Sequence, residues 1–239
     1  MFAKPVLEQL RHRIHCLEET RRRFTQTVSI ADMVDRWLPQ GGLSTGCIHE
    51  VKSNCLATSV AFTALLSARI AGDGGNILYV APGRSLYPLG LLPYGVKLDR
   101  VLQVSTKRSQ DLAWAAMEAL RCPQVGAVIA VLGGLDLTES RRLQLAAEAS
   151  GATGFFVGDA ASAPVASPIT RWRVDPVIAK SGQRFDEPIW ALDLLYCRGG
   201  RPGKWILEWR DRELTPILFP VQTSQAAFGA RTGRQALAK

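Results

Sequence analysis

Short apolar runs alternate with longer amphipathic segments through the middle of the chain. The apolar runs predict strands at 47–51, 77–80, 101–104, 127–131 and 154–157. Between them, apolar positions at helical spacing predict helices at 57–71, 110–120 and 138–150. Short apolar strands that alternate with helices are typical of a parallel sheet covered on both faces. We therefore expect an α/β fold with a mostly parallel sheet and helices on both of its faces.

The pattern changes after residue 168. Residues 158–168 are rich in Ala, Ser and Pro, which predicts an exposed loop. Apolar runs then predict strands at 171–174, 190–196 and 205–209. The last two flank the glycine-rich connection at 199–203, whose length suits an antiparallel hairpin. The α/β core is thus expected to end in an antiparallel β extension.

The two ends of the chain differ from the core. Apolar positions near the start recur at the spacing of one helix face; they are Leu7, Leu10, Ile14, Leu17 and Phe24. This N-terminal helix, within 1–28, is either an association element that binds a partner or a helix packed on its own domain. Residues 29–46 are interpreted as a connector and 47–214 as the core with its β extension. Residues 215–239 carry basic but no acidic side chains, which predicts a flexible basic tail.

The turn between the first core strand and the first core helix lies where a nucleotide-binding protein would hold phosphates. Such a loop needs glycines for close backbone approach, a Lys for the outer phosphates and a Ser or Thr for magnesium. Here no glycine lies between Gly46 and Gly72, and no Gly-Lys-Ser/Thr triplet follows the strand. We therefore expect no catalytic residue, no nucleotide or other cofactor, and no ATP hydrolysis.

Patterns for other catalytic or metal chemistry are also incomplete. His49-Glu50 begins like a zinc-protease motif, but Ser53 stands where the second histidine is needed. Asp136 and Glu139 have the spacing of a helix cap, which explains them better than a displaced magnesium site. The five cysteines form no C-x-x-C pair, which argues against a disulfide framework and a zinc site. We assign no metal ligands.

The chain is basic. It has 29 basic and 21 acidic residues, a formal charge of +8 that permits contact with nucleic acid without establishing it. The candidates for contact with nucleic acid or an acidic partner are Arg141, Arg142, Arg171, Arg173, Arg198, Arg201 and Lys204. No apolar stretch approaches the roughly 20 residues of a membrane span, and the start lacks the apolar segment of a secretory signal. We expect a cytoplasmic protein that does not enter the membrane.

Several sequence blocks together carry a family resemblance. They are Leu-Pro-Gln-Gly-Gly-Leu at 38–43, His-Glu-Val at 49–51, the arginine-leucine helix at 137–148 and Cys-Arg-Gly-Gly-Arg-Pro-Gly at 197–203. With these blocks and its altered phosphate loop, the chain resembles the ImuA family, which is similar to RecA and to the cell-division inhibitor SulA. The similarity runs from residue 38 to residue 209, and the arginine-leucine helix and the glycine-rich hairpin are its most specific parts.

The resemblance implies a RecA-like fold without the ATPase chemistry. In RecA-like ATPases the second core strand leads into an acidic residue, whereas Val80 is followed by Ala-Pro-Gly-Arg. The magnesium-side strand of such enzymes ends in Asp, whereas Val131 is followed by Leu and Gly. The resemblance further implies a non-catalytic accessory protein of damage-induced (SOS) mutagenesis, acting as an adaptor in a translesion DNA synthesis assembly.

The partners that the resemblance implies are an ImuB-like polymerase homologue and an error-prone replicative-type polymerase. Modulation of RecA and self-association are left open. Two other functions fit the same sequence: a SulA-like inhibitor that binds FtsZ, and a protein that binds single-stranded DNA directly. Salt-dependent binding to an oligonucleotide without partners would separate the last of these from an adaptor.

Overall fold

A computed structural model describes residues 26–83, 86–132, 134–178 and 187–217. The predicted N-terminal helix, with Leu7, Leu10, Ile14, Leu17 and Phe24, and most of the predicted basic tail lie outside these residues. Both therefore stay predictions from the sequence.

The described chain forms helices and strands in alternation through the core. The helices are α1 (Asp32–Asp35), α2 (Leu56–Ala71), α3 (Ser109–Arg121) and α4 (Leu137–Ser150). The strands of the large sheet are β3 (Ile48–Ser53), β4 (Asn76–Ala81), β5 (Val101–Ser105), β6 (Val125–Val131), β7 (Thr153–Asp159), β8 (Thr170–Val177), β9 (Ile189–Cys197), β10 (Gly203–Arg210) and β11 (Glu213–Pro216). A separate two-stranded ladder joins β1 (Thr27–Val28) to β2 (Leu43–Ser44).

The nine-stranded sheet has the order β11-β10-β9-β8-β3-β7-β6-β4-β5. Strands β3 to β8 pair in parallel, and β8 to β11 pair antiparallel. The predicted α/β fold with a mostly parallel sheet and an antiparallel β extension is confirmed. Every predicted core strand and helix is present within a few residues of its predicted bounds.

Helices cover both faces of the parallel half of the sheet. On one face, Ile77 and Tyr79 of β4 pack with α2; on the other, Leu78 and Val80 pack with α3 and α4. Within the described residues, the antiparallel half is covered on one face, where Trp172, Trp190 and Trp209 join a core with α2 and the chain before β3. The alternate residues of β9 and β10 are less buried and are of mixed character, because side chains alternate along a strand; they include Asp193, Lys204 and Glu208 but also Ala191, Leu195 and Ile206.

Residues predicted as a connector contribute to that core. Ile30, Val34, Leu38 and Leu43 are buried against α2 and the antiparallel strands. The Asp35 carboxylate closes this segment by accepting hydrogen bonds from Ser29 Oγ at 2.6 Å and from the Ile30 N–H at 2.9 Å. The segment is therefore packed against the core and is not a free linker.

The β9–β10 hairpin turn needs its glycines for close packing. A side chain on Gly200 would place its Cβ 2.6 Å from Cys197 Sγ and 2.8 Å from the Trp37 carbonyl oxygen. On Gly203, a Cβ would lie 2.4 Å from the Trp205 ring. The Arg201 N–H donates to the Trp37 carbonyl at 3.2 Å, which ties the turn to the chain after α1. The glycine-rich motif thus has a packing role.

The connection between β7 and β8 corrects one prediction. The sequence predicts an exposed loop with little to bury, but Val165 and Pro168 are buried. Because β7 and β8 run in the same direction, the chain must return across the sheet face to begin β8. It does so without a helix, and Val165 packs beneath it in the core that α3 and α4 share.

Candidate functional site

The turn between β3 and α2 is the position that holds phosphate in nucleotide-binding proteins of this layout. Here a carboxylate of the neighbouring strand β8 fills the role of the anion. Asp175 Oδ1 accepts a hydrogen bond from the Asn54 N–H at 2.8 Å and another from Ser53 Oγ at 3.3 Å. Ser53 Oγ in turn accepts from the Cys55 N–H at 2.9 Å. Two of the turn's backbone N–H groups are therefore satisfied by side chains.

The charge on Asp175 opposes a second anion at the same place. Its other carboxylate oxygen pairs with Arg173 Nε at 2.8 Å, so Arg173 is engaged with a protein carboxylate. A phosphate at this turn would have to displace Asp175 and face its charge at close range. The backbone N–H groups of this turn therefore bind side chains of the same protein rather than a phosphate.

A buried ionic cluster fixes the loop that crosses from β7 to β8. Glu50 on β3 is 1% exposed and pairs with Arg171 on β8. The same carboxylate accepts from the Val165 N–H at 2.8 Å, and Arg171 Nη2 donates to the Val165 carbonyl at 2.9 Å. Lys52 donates to the Ser162 carbonyl and lies 3.7 Å from Glu50 Oε1. These side chains supply partners for loop backbone groups that have no helix or ladder to satisfy them.

His49 belongs to a second buried network, on the opposite face of β3. Its Nδ1 lies 2.7 Å from Thr170 Oγ1 and its Nε2 lies 2.8 Å from the Ser44 carbonyl oxygen. Its ring stacks on Phe155 with centroids 5.5 Å apart. Burial lowers the pKa of His49 from 6.5 to about 4, and the hydrogen bond to Ser44 offsets part of that effect. The side chain is a neutral core histidine at physiological pH.

Cys47 neighbours this histidine and is equally enclosed. Its Sγ lies 3.3 Å from His49 Nε2. Burial, reinforced by the negative charge of Glu148, raises the pKa of the Cys47 thiol. A thiol whose ionised form is disfavoured is a weak nucleophile and a weak metal ligand. Among the described residues, no three His, Cys, Asp or Glu side chains gather in a way that would hold a metal ion.

The basic candidates fall into two groups. Arg171, Arg173 and Lys204 are engaged in ion pairs; Lys204 Nζ lies 2.8 Å from Asp193 Oδ2. The exposed side chains of Arg141 and Arg142 on α4, and of Arg201 in the hairpin turn, have no ion pair with the residues that the structure describes.

Arg198 is an intermediate case. Its guanidinium donates weakly to the Ser167 carbonyl at 3.4 Å, and its side chain is exposed. The candidates on β8 and β10 lie beside carboxylates, with Arg173 paired to Asp175 of the same strand and Lys204 paired to Asp193 of the neighbouring strand β9.

The tryptophans next to the basic positions are core residues. Trp172 is fully buried and its Nε1 donates to Thr170 Oγ1 at 2.8 Å. Trp205 and Trp209 are also buried, on the α2 side of the sheet. Stacking of bases on an aromatic ring requires an exposed ring face. The Arg-Trp-Arg sequence at 171–173 therefore reflects strand alternation, with Trp facing in and Arg facing out.

Sequence reasoning missed Asp175, Glu50 and Trp114. A signal existed for Glu50, since a carboxylate inside a strand with apolar neighbours must find a partner when that strand is central. No local pattern indicated that Asp175 closes the β3–α2 turn, because its partners in that turn lie more than 120 positions earlier in the chain. Trp114 lies within a helix that the sequence predicts, but its 67% exposure follows from the way that helix packs.

No model of a known protein family matches the chain. The chain is 34% identical over 244 residues to Protein ImuA of Caulobacter vibrioides strain NA1000 / CB15N, an alignment that covers 92% of the chain and 99% of that relative. Protein ImuA of strain ATCC 19089 / CIP 103742 / CB 15 matches with the same identity and coverage. In the part of the chain that the structure describes, no helix is long and apolar enough to cross a membrane. Similarity of this extent along nearly the whole length of both chains shows that the chain belongs to the ImuA family.

Proposed function

We propose that this protein is a non-catalytic accessory protein of damage-induced mutagenesis and acts as an adaptor in a translesion DNA synthesis assembly. Its partners in this proposal are a polymerase homologue of the ImuB type and an error-prone replicative-type polymerase. RecA is a further partner whose activity the protein would modulate. Membership of the ImuA family supports the mutagenesis context.

The observation that carries the non-catalytic part is the Asp175 carboxylate at the β3–α2 turn. Its 2.8 Å hydrogen bond to the Asn54 N–H satisfies a donor that a nucleotide phosphate would use. The protein therefore keeps the strand, turn and helix as a scaffold while an internal ion pair with Arg173 stabilises the turn. A scaffold of this kind acts through its surfaces.

Two other functions predict different partners. A SulA-like inhibitor would bind FtsZ, and a direct DNA-binding protein would bind an oligonucleotide without any protein. The burial of Trp172, Trp205 and Trp209 and the pairing of Arg171 and Arg173 with carboxylates speak against DNA binding on the β extension.

The experiment combines genetics with a defined binding assay. Deleting the gene should lower the frequency of damage-induced mutation, and the wild-type gene should restore it. Purified protein should bind the purified polymerase homologue of the same bacterium by analytical ultracentrifugation. An unchanged mutation frequency would overturn the mutagenesis role, and binding to FtsZ in place of the polymerase homologue would favour the inhibitor.

A further inference from the structure

The outer edge of β5 is open in the described part of the chain. β5 is the last strand of the nine-stranded sheet and pairs there only with β4. The side of an edge strand that faces away from its neighbour presents a row of unpaired backbone N–H and C=O groups. Leu102 is 55% exposed on β5, and Gln103 and Ser105 are exposed as well. The edge can therefore accept a further strand.

The two edges of the sheet are protected to different degrees. Folded proteins prevent an edge strand from pairing with other chains by means of a charge, a proline or a bulge. The other edge strand, β11, has only 4 residues and carries Glu213 and Pro216. β5 has the sequence Val-Leu-Gln-Val-Ser, without a charge or a proline, and pairs with β4 without a bulge. Of the two edges, β5 is the one that lacks protection against a further strand.

A carboxylate is exposed at the start of β5. The side chain of Asp99 is 78% exposed, and its distance of 3.8 Å from Arg100 Nε makes a surface pair that contributes little. Arg100 turns toward the chain before β4, where it donates to the Gly74 carbonyl at 3.3 Å. Lys97 turns the same way, and its Nζ lies 2.6 Å from Asp73 Oδ1. The start of the strand thus leaves the Asp99 carboxylate open to a further partner.

Two basic side chains follow the end of β5. Lys107 and Arg108 are exposed and form no ion pair with the residues that the structure describes. The carboxylate nearest to them along the chain, Asp111, accepts from Thr106 Oγ1 at 3.4 Å. One negative charge beside two positive charges leaves this end positive. The two ends of β5 are therefore complementary to each other.

We propose that β5 pairs with β5 of a second copy of this chain, antiparallel and about a two-fold axis at Gln103. Asp99 and Lys107 each stand four positions from Gln103, so this arrangement brings Asp99 of one copy to Lys107 of the other. The two-fold symmetry makes every contact occur twice. This inference goes beyond the adaptor function and does not depend on it.

The apolar side chains of the strand also match in this register. Leu102 and Val104 pair with Leu78 and Val80 of β4. Those two residues of β4 pack with α3, so Leu102 and Val104 lie on the same face of the sheet. In the dimer, Leu102 of one copy stands opposite Val104 of the other. Such cross-strand pairs stabilise a sheet, and this pair covers a leucine that is 55% exposed in the single chain.

The pattern favours a second copy over an unrelated strand. A partner must offer an apolar residue beside Leu102, a cation near Asp99 and a carboxylate near Lys107. β5 with its two flanks offers all three in the antiparallel direction. Parallel pairing of two such strands would bring ends of like charge together. Because the two-fold pair covers both open edges, association stops at the dimer.

The first test measures the mass of the full-length protein by sedimentation equilibrium. A ladder of 5 residues is a small interface, so the wild type should dimerise at about 100 µM rather than at nanomolar concentration. Gln103→Lys sets two ammonium groups opposite each other at the axis and should weaken the dimer about 10-fold or more. Thr215→Lys is the control, because it places the same side chain at an exposed position of the other edge strand and should dimerise as the wild type does.

A charge exchange tests the register. Asp99→Lys and Lys107→Asp should each weaken the dimer, because each sets like charges against one another across the axis. The two substitutions in one chain should restore it, since opposite charges meet again. A contact elsewhere on the protein would not show this restoration.

A cysteine at the two-fold axis would meet its own copy. Opposed Cα atoms of antiparallel strands lie about 4.5–5.5 Å apart, within the range of a disulfide. Gln103→Cys should therefore give a covalent dimer on oxidation, seen at double mass on a non-reducing gel. Ser105→Cys is the control, because it stands opposite Val101 of the other copy and should not cross-link. The wild type, with its five cysteines, gives the background.

Four results would overturn the proposal. They are a wild type that stays monomeric at the stated concentration, a dimer that Gln103→Lys leaves intact, exchanged charges that do not restore association, and equal cross-linking by the two cysteine variants. The first would leave a strand of another protein as the partner of this edge. Circular dichroism shows that each variant keeps its fold. The adaptor function is tested separately by the deletion strain and the polymerase homologue.

Discussion

Glu50 and Arg171 face each other across β3 and β8, and both hold the same loop residue. The Glu50 carboxylate accepts from the Val165 N–H at 2.8 Å, while Arg171 donates to the Val165 carbonyl at 2.9 Å. Two parallel strands are usually connected through a helix, and here the connection has none. The ion pair instead holds the connecting loop in place through its hydrogen bonds to Val165. Because both side chains also bond to the backbone of Val165, loss of the ion pair would leave several polar groups without hydrogen-bond partners at once.

Breaking this pair should destabilise the protein strongly. Arg171→Met leaves the buried Glu50 carboxylate without its guanidinium, and we expect a loss of about 3 kcal/mol in the free energy of unfolding. Glu50→Gln leaves the Arg171 side chain, which is 30% exposed, without its carboxylate, and this variant should lose less stability because solvent screens the remaining charge. The double substitution should cost less than the sum of the two. Urea denaturation measures the effect, with Arg141→Met as the exposed control that should change stability by less than about 0.5 kcal/mol. Strict additivity would contradict the coupling.

The β3–α2 turn should not bind ATP. Titration calorimetry with ATP and magnesium should give a dissociation constant no tighter than about 1 mM, which corresponds to roughly 4 kcal/mol. The reason is that Asp175 already occupies the donor on Asn54 and that the turn has no glycine or P-loop lysine. Micromolar affinity that Asp175→Ala left unchanged would place a nucleotide elsewhere on the protein.

His49 should make stability fall in mild acid. Burial holds its pKa near 4 in the folded protein against 6.5 for an unburied histidine. Between these values the unfolded chain binds more protons, so the free energy of unfolding decreases as pH falls from 6.5 toward 4, by up to about 1.4 kcal/mol per pH unit. More than about one pH unit above 6.5, the histidine is neutral in both the folded and the unfolded protein, so it adds almost no pH dependence there.

The matching variant is His49→Gln, which keeps a polar side chain but removes the titration. Denaturation midpoints at a series of pH values should fall less steeply for the variant than for the wild type. Groups common to both proteins cancel in this comparison. Parallel pH profiles for the two proteins would show that His49 does not carry the effect.

A single methyl group added at Gly200 in the β9–β10 turn should lower the stability of the protein. In Gly200→Ala, the new Cβ would lie 2.6 Å from Cys197 Sγ and 2.8 Å from a backbone oxygen, so we expect a loss of about 1–3 kcal/mol in stability. Gly74→Ala is the control, since nothing lies within 4 Å of the position that its new methyl group would take. Thermal unfolding compares the two, and equal melting temperatures for both variants would contradict the packing role.

The N-terminal helix should mediate association. Changing Leu10 and Ile14 to Asp places charge on its apolar face, and we expect loss of self-association or of partner capture because burying an unpaired charge is costly. Analytical ultracentrifugation measures this, while circular dichroism reports on the core. Global unfolding of the variant would instead assign the helix to the core of its own domain.

The sequence by itself determined the secondary structure of the core and the change from parallel to antiparallel pairing. These follow from local patterns: short apolar runs, helical spacing and glycine-rich turns. The capping box at α4 was also readable, and both of its hydrogen bonds are present, from the Glu139 N–H to Asp136 at 2.7 Å and from the Asp136 N–H to Glu139 at 3.1 Å. Such features involve residues a few positions apart.

Only the tertiary structure decided which basic side chains are paired with carboxylates and which are exposed to solvent. Arg171 and Arg141 look alike in the sequence, yet one is paired with a buried carboxylate and the other faces solvent. It likewise decided that Asp175 closes the β3–α2 turn and that Val165 is buried. The physical reason is that these contacts join residues more than 100 positions apart. Their partners are set by strand order and by the path of a crossover loop, which no local pattern specifies.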